Sequence, residues 1–313
     1  MFRCRSDVPI EPLVRPKEAV KLSTESQKEK LGKIESTKIK KNALNCMYTN
    51  ARSMMNLNKR DEIELLLKTH EIDILGITES WAHKDIEDAE LNINGFTMLR
   101  KDRNNADKIR GVGVILCCKD ELGAVREFED RENKSETIWA KIVDQDGDEV
   151  YIGLCYRSPT ATEEDVKSLF EQITHFSNYT TIIMGDFNYR DINWIEMESG
   201  PNGKEFLELV EDCFLFQHVD IATRGNNILD LLLTTEKNMV DEVEVICPIS
   251  NSDHNVLIFK LNCKIEMAKK QTKNYRYDKG DYIKIKADLN EIKWKEIYHE
   301  QGVEEMWNFF NES

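Results

Sequence analysis

The sequence predicts an α/β layered domain with mixed strand directions, and two observations predict it. Segments of about a dozen residues with one apolar face alternate with short apolar runs of strand length, so helices and strands take turns along the chain. Between 96 and 156, successive strand-like runs follow one another with little but turn residues between them, which points to antiparallel hairpins and argues against a purely parallel sheet.

The elements follow in order. A strand is expected over 44–49, then a helix over 58–70 with Ile63, Leu66 and Leu67 on one face. Residues 72–77 (IDILGI), Asp73 apart, read as a continuous apolar run ending at Thr78-Glu79, the mark of a buried strand with a polar residue at its tip. Strands are expected next at 96–99, 111–117, 137–143 and 150–156, the last two joined by a turn at Asp146-Gly147. Thr162, with Asp165 three places on, opens a helix that carries Val166, Leu169, Phe170 and Ile173 on one side. A second buried strand, 181–184, runs into Gly185-Asp186-Phe187-Asn188. A helix over 204–213 and strands at 228–233, 243–246 and 255–261 complete the series.

The two ends differ in composition. Residues 1–42 hold eleven Lys/Arg against six Asp/Glu, three prolines and no sustained periodicity, as expected of a basic, disordered leader. After 263, Lys269, Lys270, Lys273, Arg276 and Lys279 form a basic linker, and 282–310 is expected to be partly helical. The expected division is therefore 1–42 as leader, 43–263 as the functional domain and 264–313 as linker and tail.

Bulk properties narrow the function. No charged-then-apolar leader and no run of about eighteen apolar residues is present, so a soluble intracellular protein without membrane attachment is expected. The 8 cysteines are scattered with no C-x-x-C pair, which favours free, reduced thiols over disulfides or zinc. A net charge of -15 argues against a protein that coats nucleic acid through lysine and arginine alone. Clustered carboxylates can instead hold a divalent cation that supplies the positive charge a phosphate needs, although an acidic solvated surface is the commoner origin of such a balance.

Polar residues stand where strands end. Asn50 follows the first strand, Glu79 the second, Tyr156 closes another, and Asp186 and Asn188 follow 181–184. Asp186 and Asn188 face the same way in an extended segment, while Phe187 between them packs behind. Asp230 lies inside the apolar run Ile228-Leu229-Asp230-Leu231-Leu232-Leu233, where burial without a partner is costly. His254 is its natural partner, because a buried carboxylate orients an imidazole and favours its cation. Each element alone has an ordinary structural explanation: a turn, a helix cap or a satisfied core pair. Trp81 and Trp139 read as packing residues.

As an ordered set, Asn50-Ala51-Arg52-Ser53, Thr78-Glu79-Ser80-Trp81, Tyr156-Arg157-Ser158-Pro159, Gly185-Asp186-Phe187-Asn188, Leu229-Asp230-Leu231 and Ser252-Asp253-His254 resemble the motifs of the endonuclease/exonuclease/phosphatase superfamily. The first four look most like the endonuclease of LINE-type (non-LTR) retrotransposons. The resemblance covers about 43–263 and implies a four-layer αββα sandwich of two mixed β-sheets flanked by helices. It also implies a Mg²⁺-dependent phosphodiester hydrolase, with Mn²⁺ as a substitute, that makes single-strand nicks in DNA.

The roles implied are these. Glu79 is the principal metal ligand, with Asn50 assisting and Asp253 supporting metal or leaving-group chemistry. Asp186 orients and deprotonates the attacking water, and Asn188 holds the phosphate or that water. His254, aligned by Asp230, donates to a phosphate oxygen, and Tyr156 contacts the phosphate. Substrate contacts are expected at Arg157, Asn226 and Asn227. The tail, with Tyr277, Tyr282, Trp294 and Trp307, resembles the segment that joins such an endonuclease to a reverse transcriptase. None follows within the 313 residues, so a truncated or repurposed element is expected, with any reverse transcriptase supplied in trans and a nuclear location following from the substrate. The same core acting on abasic DNA or another phosphodiester, or an inactive domesticated binding module, are the alternatives.

Overall fold

Two β–α–β crossovers, one in each of two sheets, organise the computed structural model, which describes residues 38–102, 112–128, 135–268, 282–284 and 286. In chain order the elements are β1 (Lys38–Lys41), β2 (Leu44–Asn50), α1 (Leu57–Thr69), β3 (Ile74–Thr78), α2 (Asp88–Leu91), β4 (Phe96–Lys101) and β5 (Val114–Lys119). There follow β6 (Val125–Phe128), β7 (Glu136–Val143), β8 (Glu149–Tyr156), α3 (Glu163–Phe176), β9 (Thr181–Asp186), β10 (Ile192–Asn193), β11 (Glu198–Ser199) and α4 (Lys204–Asp212). The last are β12 (Phe216–Gln217), β13 (Asp230–Thr234), β14 (Val240–Ile246), β15 (Val256–Leu261) and β16 (Ile265–Ala268). All lie in the first of two units, which ends at Lys269; in the second, residues 282–284 are helical.

One six-stranded sheet has the order β14-β15-β2-β3-β5-β4, the other β12-β13-β9-β8-β7-β6. Within each, a single pair is parallel, β2 with β3 and β8 with β9, and every other neighbour is antiparallel. Parallel neighbours need a long crossover, and α1 and α3 supply it. Asn56 and Thr162 start those helices by accepting from the backbone amides of Asn58 and Asp165.

The central strands β2, β3, β8, β9 and β13 are buried on both faces, which is why their sequences read as largely apolar runs. Leu44, Cys46 and Tyr48 of β2 face Ile152, Leu154 and Met184 in a core between the sheets. Met47 points outward to Ile63 and Leu67 of α1, while Tyr151 and Cys155 lie under Leu169, Ile173 and Phe176 of α3. Trp139 stacks on Phe176 at 4.0 Å between ring centroids. The result is the four-layer αββα sandwich of two mixed sheets that the motif resemblance implied. Gly76 sets how close the sheets come, since a Cβ there would lie 2.6 Å from Met184 Sδ of the facing sheet.

Several short elements carry no sequence signal. Strands β10, β11 and β12 have two residues each, too few for a period. The β1–β16 ribbon pairs Lys41 with Ile265 and Lys38 with Ala268, beyond both expected limits of the 43–263 domain. Its Lys-rich first strand hid it. Strand β13 starts at Asp230, two residues later than expected, where Thr223 Oγ1 accepts from the amides of Leu229 and Asp230. Residues 1–37 and most of the expected tail lie outside the described residues. The seven described cysteines are unpaired, and no described helix is long and apolar enough to cross a membrane.

Candidate active site at the strand ends

Both parallel pairs end at one mouth. Asn50 and Thr78 are register partners at the ends of β2 and β3, as are Tyr156 and Asp186 at the ends of β8 and β9, and Asp186 also pairs with Asp230. Carboxyl ends of strands are where α/β sheets collect ligand groups, because loops there need satisfy no further ladder.

The two sheets are joined across this mouth by Asn50. Its Nδ2 donates to Glu79 Oε1 and to Asp186 Oδ2, each at 2.9 Å. Glu79 Oε1 also accepts from Tyr156 OH at 3.2 Å, and its Oε2 from Trp81 Nε1 at 3.3 Å. Glu79 itself has φ +49, a left-handed conformation unfavourable for a residue with a Cβ. The amides of Ser53 and Met54 hold that turn by donating to the carbonyls of Glu79 and Ser80.

Beside them runs a fully buried relay. His254 Nδ1 lies 2.8 Å from Asp230 Oδ2, and Asp230 Oδ1 accepts from Tyr48 OH, which in turn contacts Thr78 Oγ1. His254 Nε2 has no hydrogen-bond partner and faces Asp186 Oδ2 at 3.8 Å. Ser252 fixes the approach of this segment: its Oγ donates to the Asn50 carbonyl at 2.7 Å and accepts from the His254 amide.

Electrostatics follow from this burial. Burial, then the charge of Asp230, push the Asp186 carboxyl up to about 8, against the pull of His254. Burial alone would lower His254, but the hydrogen bond and charge of Asp230, with Asp186 adding to them, carry it above the usual histidine value. The pairing with Asp230 thus favours the imidazolium, whose Nε2–H would be a donor aimed into the mouth.

The remaining expected residues are placed differently. Asn188, at φ +56, turns its Nδ2 to the Arg157 carbonyl, and its amide donates to Asp186 Oδ1. Arg157 stacks over the Tyr189 ring at 4.1 Å and donates to the Phe187 carbonyl. Asp253, expected to support metal or leaving-group chemistry, bridges two guanidinium groups, Arg52 at 3.0 Å and Arg224 at 2.6 Å. The hydrogen bond and charge of Arg224 outweigh partial burial and hold its carboxyl below the usual range. Asn226 is exposed on a tight turn closed by backbone bonds between Arg224 and Asn227, and Asn227 shares a cleft with Arg190, Arg224 and Asp253.

Sequence reasoning missed Tyr48, Arg52, Trp81, Thr223 and Arg224. Tyr48 stands two places before Asn50 on β2, a spacing that places both side chains on one face of the strand. Trp81 follows Glu79 in a turn where both residues are left-handed, so no strand period marked it.

A divalent cation fits one end of the site better than the other. Asp186, Asp230 and His254 offer atoms within 4.8 Å of one another. Asp230 occupies His254 Nδ1, however, and a protonated imidazole is no ligand. Glu79 offers a half-buried carboxylate, the donor type Mg²⁺ takes, beside the fully buried Asn50, whose Oδ1 accepts from the Arg52 amide. Asn50 now directs its amide nitrogen between two carboxylates, which shows how much negative charge that point gathers.

Residues 150–258 match the family model described as endonuclease-reverse transcriptase. The fold is similar to the endonuclease domain of TRAS1, a telomere-specific non-LTR retrotransposon, with a TM-score of 0.54 and 17% identity over 71% of this chain and 99% of that one. An AP endonuclease from Leishmania major aligns with a TM-score of 0.55 and 14% identity, over 71% of this chain and 88% of its own. A 3′ phosphatase from Neisseria, solved with a product DNA hairpin, aligns at 0.52 and 14% identity, over 70% and 99%. None of the curated protein sequences matches. The chain thus has the endonuclease/exonuclease/phosphatase fold, with a retrotransposon endonuclease and an AP endonuclease among its structural neighbours.

Proposed function

We propose that the protein is a Mg²⁺-dependent phosphodiesterase that nicks DNA. The observation that carries this is Asn50 bridging Glu79 and Asp186 across two sheets, with the unpartnered His254 Nε2 beside them. Carboxylates, a carboxamide and one cationic imidazole converge as phosphodiester hydrolysis requires.

Glu79 and Asn50 would hold the cation, which when bound neutralises phosphate oxygens and the departing oxygen. His254 Nε2–H donates to a non-bridging phosphate oxygen, and Asp230 keeps the imidazole turned and charged for that purpose. Asp186 accepts the proton of the attacking water; cationic charge nearby lowers its carboxyl into working range. Asn188 shapes the turn that holds Asp186, and Tyr156 OH, already within reach of Glu79, orients the phosphate against the metal position. Arg52, Arg157, Arg224 and the turn at Asn226-Asn227 surround the mouth as backbone contacts.

On this reading the partner is DNA, the compartment is the nucleus, and a reverse transcriptase would act in trans; the family-model description supports that last link. The test is relaxation of supercoiled plasmid with Mg²⁺, with EDTA, and with Glu79→Ala, beside an abasic oligonucleotide. Nicked circles that require both Mg²⁺ and Glu79 are expected. Cleavage confined to the abasic strand would replace this substrate, and activity that survives EDTA would overturn the metal assignment.

A further inference from the structure

Glu136 is a carboxylate at the start of β7, 9% exposed, standing between Ser135 and Thr137. Its two neighbours face the helix layer: Thr137 Oγ1 donates to Gln172 Oε1 of α3 at 2.6 Å, and Gln172 Nε2 donates to Ser135 Oγ at 2.7 Å. Strand alternation then turns Glu136 the other way, toward the facing sheet. A buried carboxylate needs donors, and Glu136 Oε2 accepts from the Gly113 amide at 2.8 Å. Gly113 stands just before β5, so its amide takes a partner from the opposite sheet rather than from a strand ladder.

Gly113 in turn holds the turn that presents Glu79. Its carbonyl accepts from the Ser80 amide at 3.0 Å, and the Val112 carbonyl accepts from the Trp81 amide at 2.9 Å. The two segments lie so close that a Cβ at Gly113 would sit 2.6 Å from Ser80 Oγ, and its φ of +90 suits glycine. The turn they hold is strained. Glu79 and Trp81 have φ +49 and +55, conformations that persist only where the surroundings fix them. Ser53 and Met54 fix one side of it, and residues 112–113 fix the other. Glu136 is also the register partner of Tyr156 in the β7–β8 ladder, and Tyr156 OH donates to Glu79 Oε1. Both routes from Glu136 end on Glu79.

We infer that Glu136 is a positioning residue for the metal-binding carboxylate: from the opposite sheet it anchors Gly113, and through Gly113 the left-handed turn that aims Glu79. The inference rests on the reading of Glu79 as the cation ligand and extends it to a residue outside the motif set. Glu136 acts by accepting a hydrogen bond, which a glutamine carbonyl also does and an alanine or methionine side chain does not. With the anchor lost, the turn relaxes toward ordinary φ values and Glu79 loses its aim, although every ligand is still present.

The test is Mn²⁺ binding, followed by the electron paramagnetic resonance signal of the free ion, with Glu79→Ala identifying the site. Glu136→Ala and Glu136→Met should each weaken binding about tenfold or more, and Glu136→Gln should restore it to within about threefold of wild type. The methionine variant keeps the side-chain volume and decides the matter if the alanine variant does not fold. Thr137→Val deletes a bond on the other face of the same strand end. It should leave Mn²⁺ affinity within about twofold of wild type, even where it lowers the melting temperature in EDTA as much as Glu136→Ala does. Unchanged affinity in the methionine variant, a glutamine variant as weak as it, or an equal loss in Thr137→Val would overturn the positioning role. So would undiminished binding by Glu79→Ala, or no binding by the wild type. The readout needs no turnover. Mn²⁺ binding that depends on Glu136 in a protein that does not nick would refute the proposed function and leave this role standing; Mg²⁺-dependent nicking with ion binding indifferent to Glu136 would do the reverse.

Discussion

His254 Nδ1 lies 2.8 Å from Asp230 Oδ2, with both side chains fully buried, and this contact joins the last strand of one sheet to the other. It fixes the ring's orientation and leaves Nε2 as the one nitrogen that can meet substrate.

Asp230→Asn should therefore remove the charge that keeps His254 cationic while leaving the packing nearly unchanged. A fall in kcat of about 10²-fold or more is expected, the scale on which a positioned acid or base contributes. Plasmid-nicking kinetics with circular dichroism as a folding control would show it, and a change within threefold would mean that Asp230 does not act through His254.

His254→Ala and Asp186→Ala should each lower turnover by about 10²-fold or more, because one removes the phosphate donor and the other the acceptor of the water proton. The double variant should lose little beyond the worse single one, as residues acting in one step are not additive. Near-wild-type nicking by either single variant removes that residue from the mechanism.

Trp81→Phe keeps an aromatic wall but deletes the donor to Glu79 Oε2. Partners that orient a metal ligand are worth about 10- to 100-fold in metal affinity. The Mg²⁺ concentration for half-maximal nicking should rise by about tenfold, with saturated activity close to wild type. An unchanged Mg²⁺ requirement would separate Trp81 from the metal position.

Stability of the metal-free protein should fall as pH rises from about 4 to 8. Asp186 holds its proton up to about 8, far above its unfolded value, so its contribution is present at low pH and is lost as pH climbs through that range. His254, raised above its ordinary value, contributes below that value and loses its share as pH rises past the folded one. Both act in one direction. Melting in EDTA should occur at lower temperature at the alkaline end, and Asp186→Asn should flatten the trend; a rising trend would contradict the assignment.

Gly76→Val should destabilise the fold by about 1–3 kcal/mol, the usual cost of overpacking, since Met184 Sδ and Leu154 Cδ1 occupy the space. Chemical denaturation would measure it, and an unchanged midpoint would mean that the sheets part readily.

How much of this was legible depended on what each residue must satisfy locally. Strands buried on both faces announce themselves, so 72–77 and 181–184 were readable, as were the polar residues at their tips. Asp230 was conspicuous because a carboxylate in an apolar run demands a partner, and the partner proved to be His254. Asp253 was not readable, because its ion pairs with Arg52 and Arg224 join three loops distant in sequence. Trp81 was read as packing because nothing local distinguishes an indole that fills space from one that donates to a carboxylate. The β1–β16 ribbon was missed for a simpler reason: its lysines look like those of an unstructured leader.

The order of strands has a further consequence during synthesis. One sheet is built from the first and last portions of the domain, β2 to β5 and then β14 and β15, while the other comes from the continuous middle. His254 precedes the last strand to join, so every other member of the site leaves the ribosome before it. A nascent chain exposes Glu79, Asp186 and Asp230 for seconds, at roughly 5–20 residues each second, without the imidazole that would complete them. The site is therefore incomplete until β15 takes its place between β14 and β2, and the step that closes the sheet also completes the site.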